Sequence, residues 1–505
     1  MKNKSLLKII VGAVAVLTIA ASISGCVKKV PDNAPETGKV SDKVTDSDVS
    51  EKTHDENGYL LDALPSDLNY NGADISILGW HSEVTEFEAG NASSSAIDSA
   101  VYNRNKTVEA RLGVKLKFNL EYIGNNNEEN RKAYAQHLES TIISGSSYDI
   151  VSAHMGCIAT AAINGLMEDM GAIEDGYLNY DNPWWNSSII DETSVGNTFY
   201  FCTGDASTSF AQMVYCVYFN ADKIDGMHLD SPYDLVDGNE WTYETMIRMG
   251  MNVYHNNNND AGVDLEDDLP LIGQYYDWPA LLEGCGIQLV AKDASGAFVL
   301  TDDIKGAKSI KVMGDLADFI RLDGAYVATD EDLVESFMGG RALFYIVQNG
   351  AATRWSFSNV TFNYGCVPMP KYNSYQTEYR GAVRKPITLF GMPHGNSDEK
   401  LVRASAVLEC YGSEGYRQTT PVIFDQVMKG QESGGAKMSE MLELIRDTAS
   451  FDVGRIYSAH LNSLCDMPGY YLRDGAAWEN YINQKIPDVE VLLAKLSDDL
   501  ISVAN

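Results

Sequence analysis

Basic residues are scarce in this chain. Its 505 residues contain 71 aspartates and glutamates but 38 lysines and arginines, so the formal net charge is −33. Beyond Lys28 and Lys29 the sequence has no basic cluster. Nucleic-acid binding depends on such clusters, because they displace counterions from phosphates. The sequence therefore predicts no nucleic-acid partner. Its acidity favours solubility, with capture of a cation or a basic ligand as the alternative.

Cysteine motifs are also missing. The chain has 8 cysteines, and none of them form a CxxC pair. The absence of CxxC pairs excludes the common zinc and dithiol redox motifs. Cys216 lies among apolar residues, which is typical of a buried thiol that packs as a small hydrophobic side chain. A disulfide between Cys202 and Cys216 is left open, because it requires Cα atoms within about 7 Å of each other.

Catalytic motifs are not found either. The sequence contains no HExxH and no GxSxG, and residues 430–437 fail as a phosphate-binding loop because Ala436 occupies the lysine position. With 71 acidic residues, a carboxylate pair for glycoside hydrolysis can always be proposed, so such a pair does not distinguish an enzyme from a binding protein. We therefore expect a binding protein rather than an enzyme. A surface carbohydrate-active enzyme and a binding protein without a transporter are the alternatives.

A single long apolar run is present, at residues 9–21, and it follows three early lysines. It is shorter than the ~20 residues that a membrane-spanning helix needs. Small residues then lead into Cys26, in the order Ile-Ser-Gly-Cys. This arrangement resembles a bacterial lipoprotein signal, which implies cleavage after residue 25 and a lipid on the Cys26 sulfur. An uncleaved anchor and a plain signal peptide are the alternatives. The expected location is the extracytoplasmic face of the cell membrane.

The remaining chain divides by composition. Residues 26–66 are rich in charged and small polar residues, which predicts a flexible tether. From residue 67 onward, short apolar runs alternate with amphipathic stretches, as in an α/β protein. Helical spacing predicts helices over 96–112, ended by Gly113, and over 128–143 and 487–500. We assign 67–222 to a first lobe, 223–380 to a second lobe, and 381–505 to a return to the first lobe with C-terminal helices.

Several segments between residues 74 and 420 resemble, in their order and spacing, the extracellular solute-binding proteins of bacterial ABC importers, in particular the sugar-binding lipoproteins. The resemblance implies a two-lobed, periplasmic-binding-protein-like α/β fold with two or three hinge crossings. It further implies a monomeric receptor that holds a small molecule, most specifically an oligosaccharide, in the interlobe cleft, with ABC permease subunits as partners. The segments that carry it are Tyr148-Asp149-Ile150-Val151, Gly165 to Met170, Val214 to Asn220 with Pro232 and Trp241-Thr242, Phe337 to Ala342, and Gly365 to Pro370.

Candidate ligand-binding residues of the first lobe follow predicted strands, because loops at strand carboxyl ends line the crevice of open α/β sheets. Indoles stack on sugar faces, and carboxylates accept sugar hydroxyls. Each candidate also has a structural interpretation, as a packing, loop or capping residue. Trp184 and Trp185 form either a stacking wall or a pin for their loop. The other candidates are Trp80, His81, His154 and Asp205.

Candidates of the second lobe combine aromatic rings with amides and acids, which together can contact both faces of a sugar. Arg354 can bind a carboxylate of the ligand or an internal acid. The set consists of Tyr276, Asp277, Trp278, Gln348, Asn349, Arg354 and Trp355.

One polar loop suggests a structural Ca²⁺, and no other cofactor is expected. Oxygen side chains at Asn256, Asn258, Asp260 and Asp267 match positions 1, 3, 5 and 12 of a calcium loop. Two features depart from the motif: Ala261 replaces the turn glycine, and an aspartate replaces the bidentate glutamate. The alternative is an exposed polar loop without metal.

Overall fold

Two mixed β-sheets organise the chain. The computed structural model describes residues 53–80, 86–89, 95–121, 127–329, 333–354, 357–428, 435–474 and 477–504, which belong to one compact unit. The predicted signal segment and Cys26 therefore lie outside the described residues. The strands are β1 (Ala73–Trp80), β2 (Val114–Glu121), β3 (Ile150–His154), β4 (Tyr215–Asn220), β5 (Leu269–Gln274), β6 (Val290–Lys292), β7 (Phe298–Leu300), β8 (Tyr326–Ala328), β9 (Ala342–Gln348), β10 (Tyr364–Pro368), β11 (Gly381–Ala382), β12 (Thr388–Gly391) and β13 (Ala449–Ser450).

Helices cover both sheets. Short 3₁₀ turns span Phe210–Gln212, Asp302–Ile304, Phe357–Asn359, Ser458–His460 and Leu464–Asp466, and a π-helical segment spans Gly415–Thr419. The α-helices are α1 (Ala96–Leu112), α2 (Glu128–Ile143), α3 (Met155–Ile163), α4 (Ser187–Thr193), α5 (Ala221–Gly226), α6 (Pro232–Asp237), α7 (Tyr243–Gly250), α8 (Pro279–Gly284), α9 (Ala307–Asp323), α10 (Leu333–Met338), α11 (Ala351–Arg354), α12 (Asp398–Glu414), α13 (Thr420–Met428), α14 (Gly435–Asp447), α15 (Val453–Ile456), α16 (Met467–Asp474) and α17 (Trp478–Ala504).

The first sheet has the strand order β12-β3-β1-β2. β1 runs parallel to β2 and β3, and β12 runs antiparallel to β3. α1 connects β1 to β2: the Ser95 hydroxyl accepts a hydrogen bond from the Asp98 amide at its start, and Gly113 ends it with φ 60°. Glycine tolerates this left-handed conformation without steric cost, which explains the stop predicted there. Parallel strands joined by helices place the loops after β1 and β3 at one edge of the sheet.

The second sheet has the order β10-β4-β9-β5-β8. β4 pairs antiparallel with β9 and β10, while β5 runs parallel to β8 and β9. The first-lobe boundary predicted at residue 222 therefore falls too late, because β4 belongs to the second sheet. Sheet membership depends on pairing partners distant in sequence, and the composition around β4 does not reveal them.

Two segments connect the sheets. Residues 203–214 lead from the first sheet to β4, and residues 369–387 lead from β10 back to β12. These segments touch each other where Val214 and Val383 form a β-bridge. β13 pairs in parallel with β11, which adds a third segment at this waist. The arrangement is the two-lobed α/β fold with hinge crossings that the sequence predicted.

Two chain ends differ from the predicted layout. Residues 53–66, assigned to the tether, lie against the first lobe: Leu64 is buried, and Arg111 of α1 donates to the carbonyl oxygens of Leu64 and Pro65 at 2.9 Å and 3.1 Å. Toward the C-terminus, α12 packs on α1, while α16 and α17 pack on α9 and α17 also contacts α3. None of the helices that the structure describes has the length and apolar content needed to cross a membrane.

Candidate functional site

Two adjoining cavities lie between the lobes. β1 and β3 of the first sheet, and β5 and β9 of the second, direct their carboxyl ends toward this region. The cavities have volumes of about 360 Å³ and 230 Å³, and both are lined by Lys385 and Arg455. Lys385 belongs to the crossing segment 369–387, and Arg455 belongs to α15. The crevice thus has walls from both lobes, from a hinge crossing and from the C-terminal segment.

The walls differ in composition. The larger cavity adjoins the start of α2 and α3, and the smaller cavity is rich in tyrosine. The larger one is lined by Asn127, Glu128, Arg131, Met155, Gly156, Lys385, Arg455, Ile456, Ser458, Ala459 and Ser463, and the smaller one by Tyr215, Tyr275, Tyr276, Arg384, Lys385, Pro386, Arg455 and Asp466.

Tyrosine rings form one face of the smaller cavity. Tyr275 and Tyr276 meet edge to face with ring centroids 5.1 Å apart, and Tyr275 stacks on Tyr470 at 5.3 Å. Tyr276 is half-buried, and burial raises the pKa of its phenol. The Nη2 atom of Arg384 donates to the Tyr276 hydroxyl at 3.3 Å. Partly exposed phenol rings provide apolar faces with polar edges, which suit contact with a sugar ring.

Asp277 fixes the position of this tyrosine wall. The Tyr215 hydroxyl donates to its Oδ1 at 2.9 Å, and the amide of Gln274 donates to its Oδ2 at 3.1 Å. The carboxyl is 2% exposed, and burial raises its pKa to about 6. Both oxygens are therefore engaged by the protein, so Asp277 positions Tyr215 instead of facing a ligand.

Two ion pairs attach the C-terminal segment to the cleft. The ammonium group of Lys385 contacts the Asp466 carboxylate. Arg455 is 2% exposed and pairs with Glu283 of α8, with 3.0 Å between Nε and Oε1. Breaking a buried pair of this kind leaves an uncompensated charge, at a cost of about 3–5 kcal/mol. The two pairs thus hold α15 and the turn after it against the second lobe and the crossing segment.

The first-lobe candidates Trp80 and His154 belong to the packing of the sheet. Trp80 is 5% exposed, its Nε1 lies 3.4 Å from the hydroxyl of Thr388, and its ring meets the His154 ring edge to face at 5.1 Å. His154 caps α3 by accepting a hydrogen bond from the Gly156 amide at 3.0 Å. Burial lowers the pKa of His154 to about 3. Their position at strand ends was predicted, but both side chains turn into the lobe. His81 lies outside the described residues.

Asp205 forms a buried ion pair and has no exposed surface for a ligand. Its Oδ1 accepts hydrogen bonds from Arg446 Nε at 3.1 Å and from the Thr420 hydroxyl at 2.8 Å.

Trp184 and Trp185 are buried, and the Trp185 indole donates to Glu409 at 2.8 Å. Both therefore attach their loop to the lobe, which is the second of the two predicted roles. The partners of Asp205 and Trp185 lie on α12, α13 and α14, which are distant in sequence, so the sequence alone did not reveal these contacts.

Most second-lobe candidates are core residues. Trp278 is fully buried and donates to the carbonyl oxygen of Gly273 at 3.1 Å, and Asn349 is bound to the amide of Val214 at 3.1 Å. Gln348 is 1% exposed at the end of β9. Of the predicted second-lobe residues that the structure describes, Tyr276 lines the cleft. Trp355 falls outside those residues, and Arg354 is exposed at the end of α11.

The predicted calcium loop is closed by its own hydrogen bonds. Asp267 is buried and accepts from the amides of Asn257 and Asp264 at 3.0 Å and 3.2 Å. Asn256 donates through its side chain to the Asp260 carbonyl oxygen at 3.1 Å. Asn258 donates to the Asp264 carboxylate at 2.9 Å. Calcium binding here remains a prediction. A rise in the melting temperature with CaCl₂, reversed by EGTA, would support it.

Sequence reasoning missed several cleft residues. Tyr275 adjoins the predicted Tyr276, so the tyrosine pair itself was an available signal. Arg384, Arg455 and Asp466 lie in segments without a local motif, and only the packing of the crossing and C-terminal segments brings them together.

The described cysteines are free thiols, and Cys202 bridges to β12 while Cys216 belongs to β4 of the other sheet. A Cys202–Cys216 disulfide is therefore contradicted.

Comparison with solved structures identifies the architecture. A cyclic α-maltosyl-1,6-maltose binding protein from Arthrobacter globiformis aligns with a TM-score of 0.53 at 12% identity, over 84% of this chain and 100% of that one. A cyclo/maltodextrin-binding protein complexed with maltotetraose aligns with a TM-score of 0.54 at 10% identity, over 84% and 98%. An ABC substrate-binding protein from Listeria monocytogenes in complex with cycloalternan aligns with a TM-score of 0.50 at 11% identity, over 86% and 99%. This chain thus has the fold of these binding proteins.

No family model and no curated protein sequence matches the chain. The likeness therefore lies in the tertiary structure, at sequence identities that establish the fold alone.

Proposed function

We propose that this protein is the extracytoplasmic substrate-binding protein of an ABC importer and that it captures a carbohydrate in the interlobe cleft. The observation that carries the proposal is the tyrosine-lined cavity, located where the two lobes meet in a fold shared with sugar-binding proteins. Ligands in open α/β folds bind at the carboxyl ends of strands, and interlobe clefts are the usual place for small molecules.

Delivery depends on the connection between the lobes. The β-bridge between Val214 and Val383 and the β11–β13 pair form a narrow waist. Bending there would close the lobes over a sugar whose ring stacks on Tyr275 and Tyr276, and the closed form would be the one that the permease recognises. Lipid attachment at Cys26 would keep the receptor beside the permease on the extracytoplasmic face of the membrane. The protein would act as a monomer.

Binding without chemistry distinguishes this function from a surface glycoside hydrolase. Two lining carboxylates are Glu128 and Asp466, and Asp466 is already paired with Lys385. The sugar should therefore leave the cleft unchanged.

Calorimetric titration of the purified full chain with a panel of neutral and acidic oligosaccharides tests the proposal. At least one sugar should bind, reduce the radius of gyration in solution scattering and be recovered intact by mass spectrometry. Tyr276→Ala should weaken binding about tenfold, because it removes a stacking face. Tyr375→Ala is the matched control, since Tyr375 is 91% exposed and should contribute nothing. Cleavage of the sugar, or binding by no member of the panel, would refute the function.

A further inference from the structure

Cationic side chains concentrate in the cleft of a strongly acidic protein. The chain as a whole carries a net charge of −33. In contrast, four cations line the two cavities and two acids accompany them. The cations are Arg131, Arg384, Lys385 and Arg455, and the acids are Glu128 and Asp466. A cleft lined by one sign of charge focuses the local field and raises the concentration of oppositely charged ligands.

Arg384 differs from its neighbours in this group. Lys385 is paired with Asp466, and Arg455 is paired with Glu283. Within the residues that the structure describes, no carboxylate forms an ion pair with Arg384. Its guanidinium instead donates once to the Tyr276 hydroxyl at 3.3 Å, and its Cζ lies 5.3 Å from the centre of that ring. The guanidinium has five N–H donors, so most of its hydrogen-bonding capacity is left for a ligand.

The charge of Arg384 is retained in this site. Burial acts to lower the pKa of Arg384, but interactions with Tyr215 and Asp277 outweigh burial and raise it. Among the described residues no ion pair joins Asp277 to Arg384, so Asp277 acts on the guanidinium through space and not by direct contact. The guanidinium is therefore a half-buried, permanent cation on the cavity wall.

A second guanidinium increases the local positive potential. Burial lowers the pKa of Arg354, and the charge of Arg384 lowers it further. The sequence had assigned Arg354 either to a ligand carboxylate or to an internal acid. Arg354 is exposed at the end of α11 and is not among the lining residues of either cavity, so this assignment stays a prediction.

We propose that the carbohydrate bound in this cleft is anionic, and that Arg384 holds its carboxylate, sulfate ester or phosphate ester while the sugar ring contacts Tyr276. This inference rests on the proposed function and specifies its ligand class. The planar fork of arginine matches the oxygen pairs of all three groups through two parallel hydrogen bonds. A neutral sugar would leave most of the Arg384 N–H donors without an anionic partner when the lobes close.

Arg384 is placed to couple the ligand to the hinge. It follows Val383, which forms the bridge to Val214, and its backbone amide donates to the carbonyl oxygen of Met213 at 2.8 Å. An anion bound to this side chain thus contacts the crossing segment itself, between the wall of the second lobe and the first lobe.

The test is calorimetric titration of the purified full chain with matched pairs of charged and neutral sugars. The pairs are trigalacturonate and its methyl ester, N-acetylglucosamine 6-sulfate and N-acetylglucosamine, and glucose 6-phosphate and glucose. In at least one pair the charged member should bind about tenfold or more tightly than the neutral one, and this preference should fall with added salt. The pair that responds identifies which anionic group the cleft accepts.

Variants then assign the preference to Arg384. Arg384→Gln should abolish the preference while the folding transition remains cooperative, and Arg384→Lys should keep part of it, because the charge remains but the fork is lost. Arg321→Gln removes an exposed arginine of α9 and should leave the preference unchanged.

Two results would overturn the inference while leaving the proposed function intact. One is tighter binding of a neutral sugar than of its charged partner, and the other is an undiminished preference in Arg384→Gln. If neither charged nor neutral saccharides bind, both proposals are refuted.

Discussion

His154 should make the protein sensitive to acid. The imidazole is 3% exposed, and its Nδ1 accepts the Gly156 amide at the start of α3, so this nitrogen must stay unprotonated in the folded protein. Burial lowers its pKa from 6.5 to about 3, with smaller contributions from Arg131 and Lys385. As the pH falls below 6.5, His154 becomes protonated in the unfolded chain but stays neutral in the folded protein. The stability that His154 contributes is complete above pH 6.5 and is lost progressively toward pH 3.

The size of the effect follows from the two pKa values. Between pH 7 and pH 5 the free energy of unfolding should fall by about 2 kcal/mol through this one group. His154→Asn keeps a side-chain oxygen for the cap and removes the titration. At pH 7 the variant should be less stable by roughly 0.5–1.5 kcal/mol, since the ring contact with Trp80 is lost. Its loss of stability between pH 7 and pH 5 should be smaller by about 2 kcal/mol.

Urea unfolding followed by circular dichroism, at matched pH values on both proteins, measures this difference. The other titrating groups are common to both chains and cancel in the comparison. Parallel pH profiles for the two proteins would refute the reasoning and would mean that His154 accepts a proton in the folded state. Sugar binding at pH 7 should be unaffected by the substitution, because His154 faces the interior of the first lobe. Loss of binding would instead support its original assignment as a ligand residue.

Three further substitutions test buried contacts of the fold. Asp205→Asn leaves Arg446 without its buried counter-charge and should lower the free energy of unfolding by about 3–5 kcal/mol. Asp447→Asn removes an exposed partner of the same arginine and should cost less than about 1 kcal/mol. Gly469→Ala places a Cβ atom in steric conflict with the carbonyl oxygen of Tyr275, so it should destabilise the fold by about 1–3 kcal/mol and weaken sugar binding.

Controls and refuting outcomes for these substitutions use the same unfolding assay. Equal costs for Asp205→Asn and Asp447→Asn would contradict the assignment of the buried pair. Gly314→Ala is the control for Gly469→Ala, since a Cβ there meets nothing within 4 Å and alanine favours the helix by up to about 1 kcal/mol. Unchanged sugar binding in Gly469→Ala would show that α16 does not position Tyr275.

Local signals predicted the regular elements well. The helix over 96–112 ends at Gly113 as expected, and α2 spans the predicted residues Glu128–Ile143. Capping residues, a left-handed glycine and helical spacing are properties of neighbouring residues, so they can be recognised in sequence. α17 was predicted to begin at Pro487 but begins at Trp478 and includes that proline. Its buried face, which includes Ile482 and Ile486, extends the helix across the residue that usually ends one.

Side-chain direction explains the incorrect site assignments. Trp80 and His154 do stand at strand ends, as predicted, but they pack on each other. Asp205 was predicted to bind a ligand, but its carboxylate pairs with Arg446, which is 241 residues away in sequence. An aromatic or acid beside a strand end has the same sequence context whether it faces a cleft or a core. Its partner decides between them, and that partner lies far along the chain.

The sequence by itself determined the fold class of the protein. Alternating apolar runs and amphipathic stretches predicted an α/β fold, because periodicity acts through neighbouring residues. Only the tertiary structure decided the composition of the cleft. Tyr276, Arg384 and Arg455 come from three segments, and folding brings them together through a hinge crossing and a buried ion pair. The distances between those segments decide which charged side chains form ion pairs and which can contact a ligand. The order of residues along the chain does not reveal these distances.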